Sequence, residues 1–125
     1  MASKETKKCS SLKKIKASII NSLNGLKASY KSEQSLYIHL LASITLIILS
    51  IIFKITLIEW LVVIAIIGIT LAVELVNTAI ESTVDLVTKE YHPLAKKAKD
   101  IASAAEFVLA ITSTVISLII FVSRI

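Results

Sequence analysis

Three acids and an amide, Glu74, Asn77, Glu81 and Asp85, punctuate the segment Glu74-Leu-Val-Asn-Thr-Ala-Ile-Glu-Ser-Thr-Val-Asp85. On a helix advancing roughly 100° per residue, Glu74, Glu81 and Asp85 fall within about 20° of one line, and Asn77 sits about 60° to one side. A carboxylate at bilayer depth costs roughly 2.5–3.5 kcal/mol on insertion scales. Such a row has to pair, bind a metal or line a wet cavity. Carboxylates such as Glu33 and Glu81 are hard oxygen ligands suited to Mg²⁺, which keeps waters and bridges to phosphate oxygens. Lys96, Lys97 and Lys99 can neutralise charge developing on a phosphoryl group. A carboxylate sheltered from water, such as Glu74, suits a general base. The bland alternative is a set of inter-helix hydrogen bonds with no chemistry.

Other chemistries lack their residues. No Gly-x-x-x-x-Gly-Lys-[Ser/Thr] loop is present, and neither glycine makes a phosphate cradle. There is no His-Glu-x-x-His motif and no cysteine pair for zinc. The two histidines, His39 and His92, lie far apart in sequence and suggest no Ser/His/Asp assembly. The single cysteine, Cys9, allows no intrachain disulfide and reads as a surface thiol in a Lys/Ser-rich tail.

The elements that must position the stripe follow from composition. The chain of 125 residues is 55% hydrophobic, with two glycines and one proline, and its mean hydropathy is +0.81. That is the profile of an all-α membrane protein of one domain. The net charge of +5 is concentrated outside long apolar runs, so anionic headgroups or nucleotide phosphates suit the lysines better than nucleic acid does.

Residues 1–11 are polar and charged and are expected to form a disordered tail. Residues 12–32 are expected to form an amphipathic surface helix, with Ile15, Ile19, Leu23, Leu26 and Tyr30 near one face. Spanning helices are expected at residues 36–53, 57–86 and 99–123. Lys54-Ile-Thr56 is a tight connection between the first two. Glu59 reads as a solvated end charge and Trp60 as an interface anchor. Residues 87–100 are a polar connection in which Pro93 restricts His92 and can start the next helix. No cleavable signal is evident near the N-terminus.

Eight lysines precede the first span and four occupy the second connection, against Lys54 alone in the first and Arg124 at the C-terminus. The positive-inside rule then puts the N-terminus and the 87–100 loop in the cytoplasm. The stripe, Glu33 and the start of the third span converge on the side where ATP is found. Three helices shelter several acids poorly, so oligomerisation is expected.

The pattern Glu74-x-x-Asn77-x-x-x-Glu81-x-x-x-Asp85, then Tyr91-His92, then Ala98-Lys99-Asp100, resembles the signature of the bacterial integral-membrane diacylglycerol kinase and undecaprenol kinase family. The similarity reaches upstream through Gly25 and Glu33, covering the chain from about residue 12. The resemblance implies a homotrimer of three-span subunits in the cytoplasmic membrane, each with a surface helix. It implies transfer of the γ-phosphoryl group of ATP, with Mg²⁺, to a lipid alcohol. Position by position, Glu74 resembles the family's general base, and Glu33 and Glu81 its metal-ligand carboxylates. Asn77, Lys99 and Asp100 resemble its nucleotide and phosphate contacts, joined by Asp85 and His92.

Glu33-Gln-Ser-Leu-Tyr-Ile-His39 and Lys54-Ile-Thr-Leu-Ile-Glu-Trp60 resemble the undecaprenol branch, whereas Tyr91-His92 also resembles the diacylglycerol branch. His39 is either a site residue or a hydrogen-bonded helix contact. Glu106 departs from the family, which usually has an apolar residue there, and is expected to snorkel, pair with a lysine or join a subunit interface. Lys96 and Ala102 stand where some members have glycine. Two rival functions are a small oligomeric proton or cation channel lined by the stripe, and a non-catalytic membrane scaffold.

Overall fold

The computed structural model describes residues 2–32 and 34–125, with side chains described at 11–30 and 34–125. The described residues are helical apart from short connections: α1 (Ala2–Ser32), α2 (Gln34–Ile52), α3 (Leu57–Val87) and α4 (Pro93–Val122). Two units separate, residues 1–32 and residues 33–125.

In the first unit, α1 begins at Ala2, where the sequence reading expected a disordered tail through residue 11. Lys, Glu and Ala are good helix formers, and no glycine or proline interrupts them before Gly25. Leu12, Ile15, Ile19, Ile20, Leu23 and Leu26 are exposed along it.

In the second unit, α3 packs against both α2 and α4 and is the central element. Each of the three helices is long and apolar enough to cross a membrane. The 19 residues of α2 give about 28 Å at about 1.5 Å per residue, close to a hydrocarbon core of about 30 Å. The 31 residues of α3 exceed that requirement and carry its polar end beyond it. The chain is a multi-pass membrane protein, and its exposed Leu, Ile and Val side chains, such as Leu41, Ile48, Leu61 and Ile119, suit lipid or a partner surface.

A tight turn joins α2 to α3. Lys54 takes the left-handed conformation (φ 48°), and Thr56 caps α3. The Glu59 amide donates to the Thr56 hydroxyl at 3.4 Å, and the Thr56 amide donates to the Glu59 carboxylate at 2.6 Å, a reciprocal capping box. Arg124 reaches over from the end of α4, donating to the Lys54 carbonyl at 3.1 Å and to the Glu59 carboxylate. Glu59 is therefore a half-buried cap and clamp partner rather than a solvated end charge. Beneath this turn sits the apolar core of Ile55, Val63 and Ile120, with Trp60 packed against it and the Phe53 and Phe121 rings 5.4 Å apart.

The third span differs from expectation at its start. α4 begins at Pro93 rather than residue 99, so the polar connection shortens to residues 88–92. His92 is extended and its Nδ1 accepts from the Leu94 amide at 3.2 Å, while Pro93 fills the first turn, where its missing N–H leaves no bond unmade. The Lys- and Ala-rich residues that follow continue the helix outside the apolar zone. Ser43 and Ser50, buried on α2, donate to the His39 and Leu46 carbonyls at 2.8 and 2.7 Å.

Replacing Thr56 with Ala removes the cap acceptor and is expected to cost about 1 kcal/mol. A lowered unfolding midpoint in detergent micelles checks this, and an unchanged midpoint would show the clamp by Arg124 to suffice alone.

Candidate functional site

The stripe on α3 faces inward at its membrane-depth end. Glu74 is 1% exposed and Asn77 is 9% exposed, although both sit among Leu, Ile and Val in sequence. Two residues from the flanking helices meet them. His39 of α2 places its Nε2 3.4 Å from Glu74 Oε2. Glu106 of α4 faces Glu74 and Asn77. One ligand atom from each of His39, Glu74 and Glu106 lies within 4.8 Å of the other two. Glu74 Oε2, Asn77 Oδ1 and Glu106 Oε1 are buried with no hydrogen-bond partner among the described residues. Buried acceptors left this way are costly, which sets this cluster apart from the apolar packing around it.

His39 thus contacts the stripe across the α2–α3 interface, and Glu106 turns toward Glu74 rather than to a lysine among the described residues. Both were visible in sequence as lone polar groups in apolar runs. Their meeting depends on the register of α2 and α4 against α3, which no single-helix periodicity encodes. A cavity of about 260 Å³ adjoins the cluster, lined by His39, Ser43, Thr70, Ala110 and Ser113 among others.

The remaining site residues gather at the other end of the stripe. Lys99 Nζ pairs with Asp85 at 2.5 Å, and Lys96 Nζ pairs with Asp100 at 2.5 Å. With His92, these residues line an open depression of about 400 Å³ where α3 runs into α4. Both ion pairs are exposed, so each contributes little to stability and can be exchanged for contacts to an anion. Glu81, half-buried, lies between the two groups along α3 and acts electrostatically on both Lys99 and Glu106. It is seven residues from Glu74, about 10 Å along the axis. Glu33 lies outside the described residues. The structure therefore divides the expected site into an inner polar pair (Glu74, Asn77) and an outer charged rim (Asp85, His92, Lys99, Asp100), with Glu81 between.

The unpartnered Glu106 Oε1 makes a stability prediction. Glu106→Leu is expected to raise the unfolding midpoint in detergent by the equivalent of about 1 kcal/mol, by removing a buried acceptor with no donor. A lowered midpoint would mean that its contacts with Glu74 and Asn77 hold the helices together.

The prokaryotic diacylglycerol kinase family matches residues 20–121. The undecaprenol kinase of Bacillus subtilis is 37% identical over 107 residues, covering 86% of this chain and 87% of that protein. The diacylglycerol kinase of Pseudomonas aeruginosa is 39% identical over 104 residues, covering 83% and 85%. That of Helicobacter pylori strain 26695 is 36% identical over 110 residues, covering 87% and 85%. The matched stretch holds both halves of the site, from His39 through the outer rim, and the chain belongs to the prokaryotic diacylglycerol kinase family.

Proposed function

We propose that this protein transfers the γ-phosphoryl group of ATP to the hydroxyl of a membrane lipid alcohol, with undecaprenol as the preferred acceptor and diacylglycerol as the second. The observation that carries the reading is the Glu74 carboxylate, 1% exposed among apolar residues of α3, with the exposed Lys99–Asp85 and Lys96–Asp100 pairs where the far end of α3 meets α4. A lipid hydroxyl enters laterally and reaches Glu74 without its tail leaving the bilayer. A nucleotide enters from the aqueous side, where Lys99 and the other rim groups meet its phosphates.

Glu74 Oε2 takes the hydroxyl proton while the lipid oxygen bonds to the γ-phosphorus and the bond to the departing ADP oxygen breaks. Lys99 exchanges Asp85 for phosphate oxygens and offsets the charge spread over them. Asn77 offers an amide donor and acceptor between base and rim, and Asp100, Asp85 and His92 frame the nucleotide end. Glu81 fits a hard cation: it is a half-buried carboxylate between the proton acceptor and the charged rim, and it makes no ion pair among the described residues. Glu81 together with Glu33 would hold Mg²⁺, which would supply positive charge to offset that of the nucleotide phosphates. Catalysis is then chiefly positioning and charge neutralisation.

The unpartnered acceptors of a single subunit, together with its exposed apolar faces, favour a homotrimer in which neighbours complete each site. The lysine-rich N-terminal helix lies on the cytoplasmic surface, and the 88–92 connection faces the same compartment. The preference for undecaprenol rests on the segments 33–39 and 54–60, since identities of 37% and 39% to the two kinds of kinase do not separate them. The channel and scaffold readings gain no support from the family.

Purified protein in lipid, supplied with Mg-ATP and either alcohol, is expected to yield phosphorylated lipid. Glu74→Gln is expected to lower turnover by roughly 10²–10⁴-fold with ATP binding retained. Near-normal turnover in that variant would remove Glu74 from the base role. Lys99→Ala is expected to raise KM for ATP by roughly 10-fold or more, the loss of one charged phosphate contact. An unchanged KM would place the nucleotide elsewhere.

A further inference from the structure

The inner cluster contains more than a base requires. His39, Glu74 and Glu106 come from three different helices and converge one nitrogen and two carboxylates on one point. Glu74 is 1% exposed and its Oε2, like Glu106 Oε1, has no hydrogen-bond partner among the described residues. An acceptor that deeply buried and aimed at an imidazole and a second carboxylate is a ligand set short of its cation.

We propose that His39, Glu74 and Glu106 form a second metal site, selective for a transition-metal dication such as Zn²⁺ and distinct from the Mg²⁺ position assigned to Glu33 and Glu81. The donor set decides the class of ion. Imidazole nitrogen suits zinc and its neighbours in the first transition row, whereas Mg²⁺ prefers oxygen and retains water. Bonds of about 2.1 Å in a tetrahedron give ligand–ligand edges of about 3.4 Å. His39 Nε2 and Glu74 Oε2 already stand 3.4 Å apart. Glu106 brings a carboxylate oxygen within 4.8 Å of both, as the third ligand. Two carboxylates and a neutral imidazole balance the charge of a dication, which removes the cost of leaving like charges facing each other in an apolar bundle. Three protein ligands leave one coordination position for water or another ligand.

The site has a consequence for the reaction, which rests on the kinase reading, whereas coordination does not. A metal bonded to Glu74 Oε2 draws charge from the carboxylate that would take the hydroxyl proton and lowers its basicity. Bound zinc therefore inhibits transfer while Mg²⁺ is in excess, and the histidine supplies the selectivity.

Co²⁺ is the probe, because nitrogen and carboxylate ligands in a four- or five-coordinate site give it visible absorption. The full chain, without a polyhistidine tag, is titrated with Co²⁺ in lipid or detergent with excess Mg²⁺. Wild type is expected to develop the band, His92→Gln to keep it, and His39→Gln and Glu106→Gln to lose it, with helix content checked by far-ultraviolet circular dichroism. If His39→Gln does not fold, Glu106→Gln decides. No band in folded wild type, or a band surviving in the folded variants, overturns the site. In parallel, Zn²⁺ is expected to suppress phosphoryl transfer by wild type at least tenfold, with that ratio falling toward one in His39→Gln. Equal suppression in both overturns the inhibitory role. A band that depends on His39 and Glu106 in a protein that phosphorylates neither lipid supports the site and sinks the kinase reading instead.

Discussion

Most of this protein's architecture answers to one constraint, the burial of the Glu74 carboxylate in a bundle made for lipid. The side chain is 1% exposed, and its neighbours along α3 are apolar. Water cannot solvate it there, so the flanking helices must bring polar groups to it. α2 supplies His39 and α4 supplies Glu106, while α3 itself supplies Asn77. These contributions leave acceptors without donors. An arrangement serving stability alone would replace such a cluster with well-packed apolar side chains, often at no loss. Its presence in a kinase family is better understood as reactive capacity held in place by the rest of the bundle.

The two ends of the bundle are built differently. Around the α2–α3 turn, Ile55, Val63 and Ile120 pack with aromatic neighbours, and the charges there are committed to a cap and a clamp. At the α3–α4 end the core thins out, and charges pair only with one another at the surface. Rigid packing at one end anchors helices whose other end stays open to ligands. The length of α3 serves the same division, since a helix longer than the bilayer can carry Glu74 at depth and Asp85 at the rim without a break. The early start of α4 matches it, setting Lys96, Lys99 and Asp100 on a helix facing that rim instead of in a loop.

The helices and the stripe were legible from residue order because each depends on a local period. Apolar runs of spanning length mark α2, α3 and the apolar part of α4, and the spacing of Glu74, Glu81 and Asp85 marks one face. The start of α4 was misplaced because hydropathy locates the membrane and not the helix; the cap formed by His92 and Pro93 marks the real beginning. Glu59 was misread for a related reason. Its partner, Arg124, lies 65 residues away, and only the folded bundle brings them together. His39 and Glu106 were each noticed, yet their convergence on Glu74 depends on inter-helix register, which a single chain's periodicity does not contain. Glu33, assigned to Mg²⁺ from the family pattern, is not described by the structure and keeps that role as a proposal.

The Arg124 clamp also bears on how the chain is made. The left-handed Lys54 and the capped start of α3 emerge from the ribosome well before the residue that secures them. At about 5–20 residues per second, the guanidinium follows Glu59 by roughly 3 to 13 seconds. During that interval the α2–α3 hairpin must insert with its turn carbonyl and carboxylate served by water or headgroups. Completion of α4 then converts a wet hairpin end into a closed one. Assembly is thereby ordered, with the hairpin accepting its third helix last and sealing at the end away from the rim.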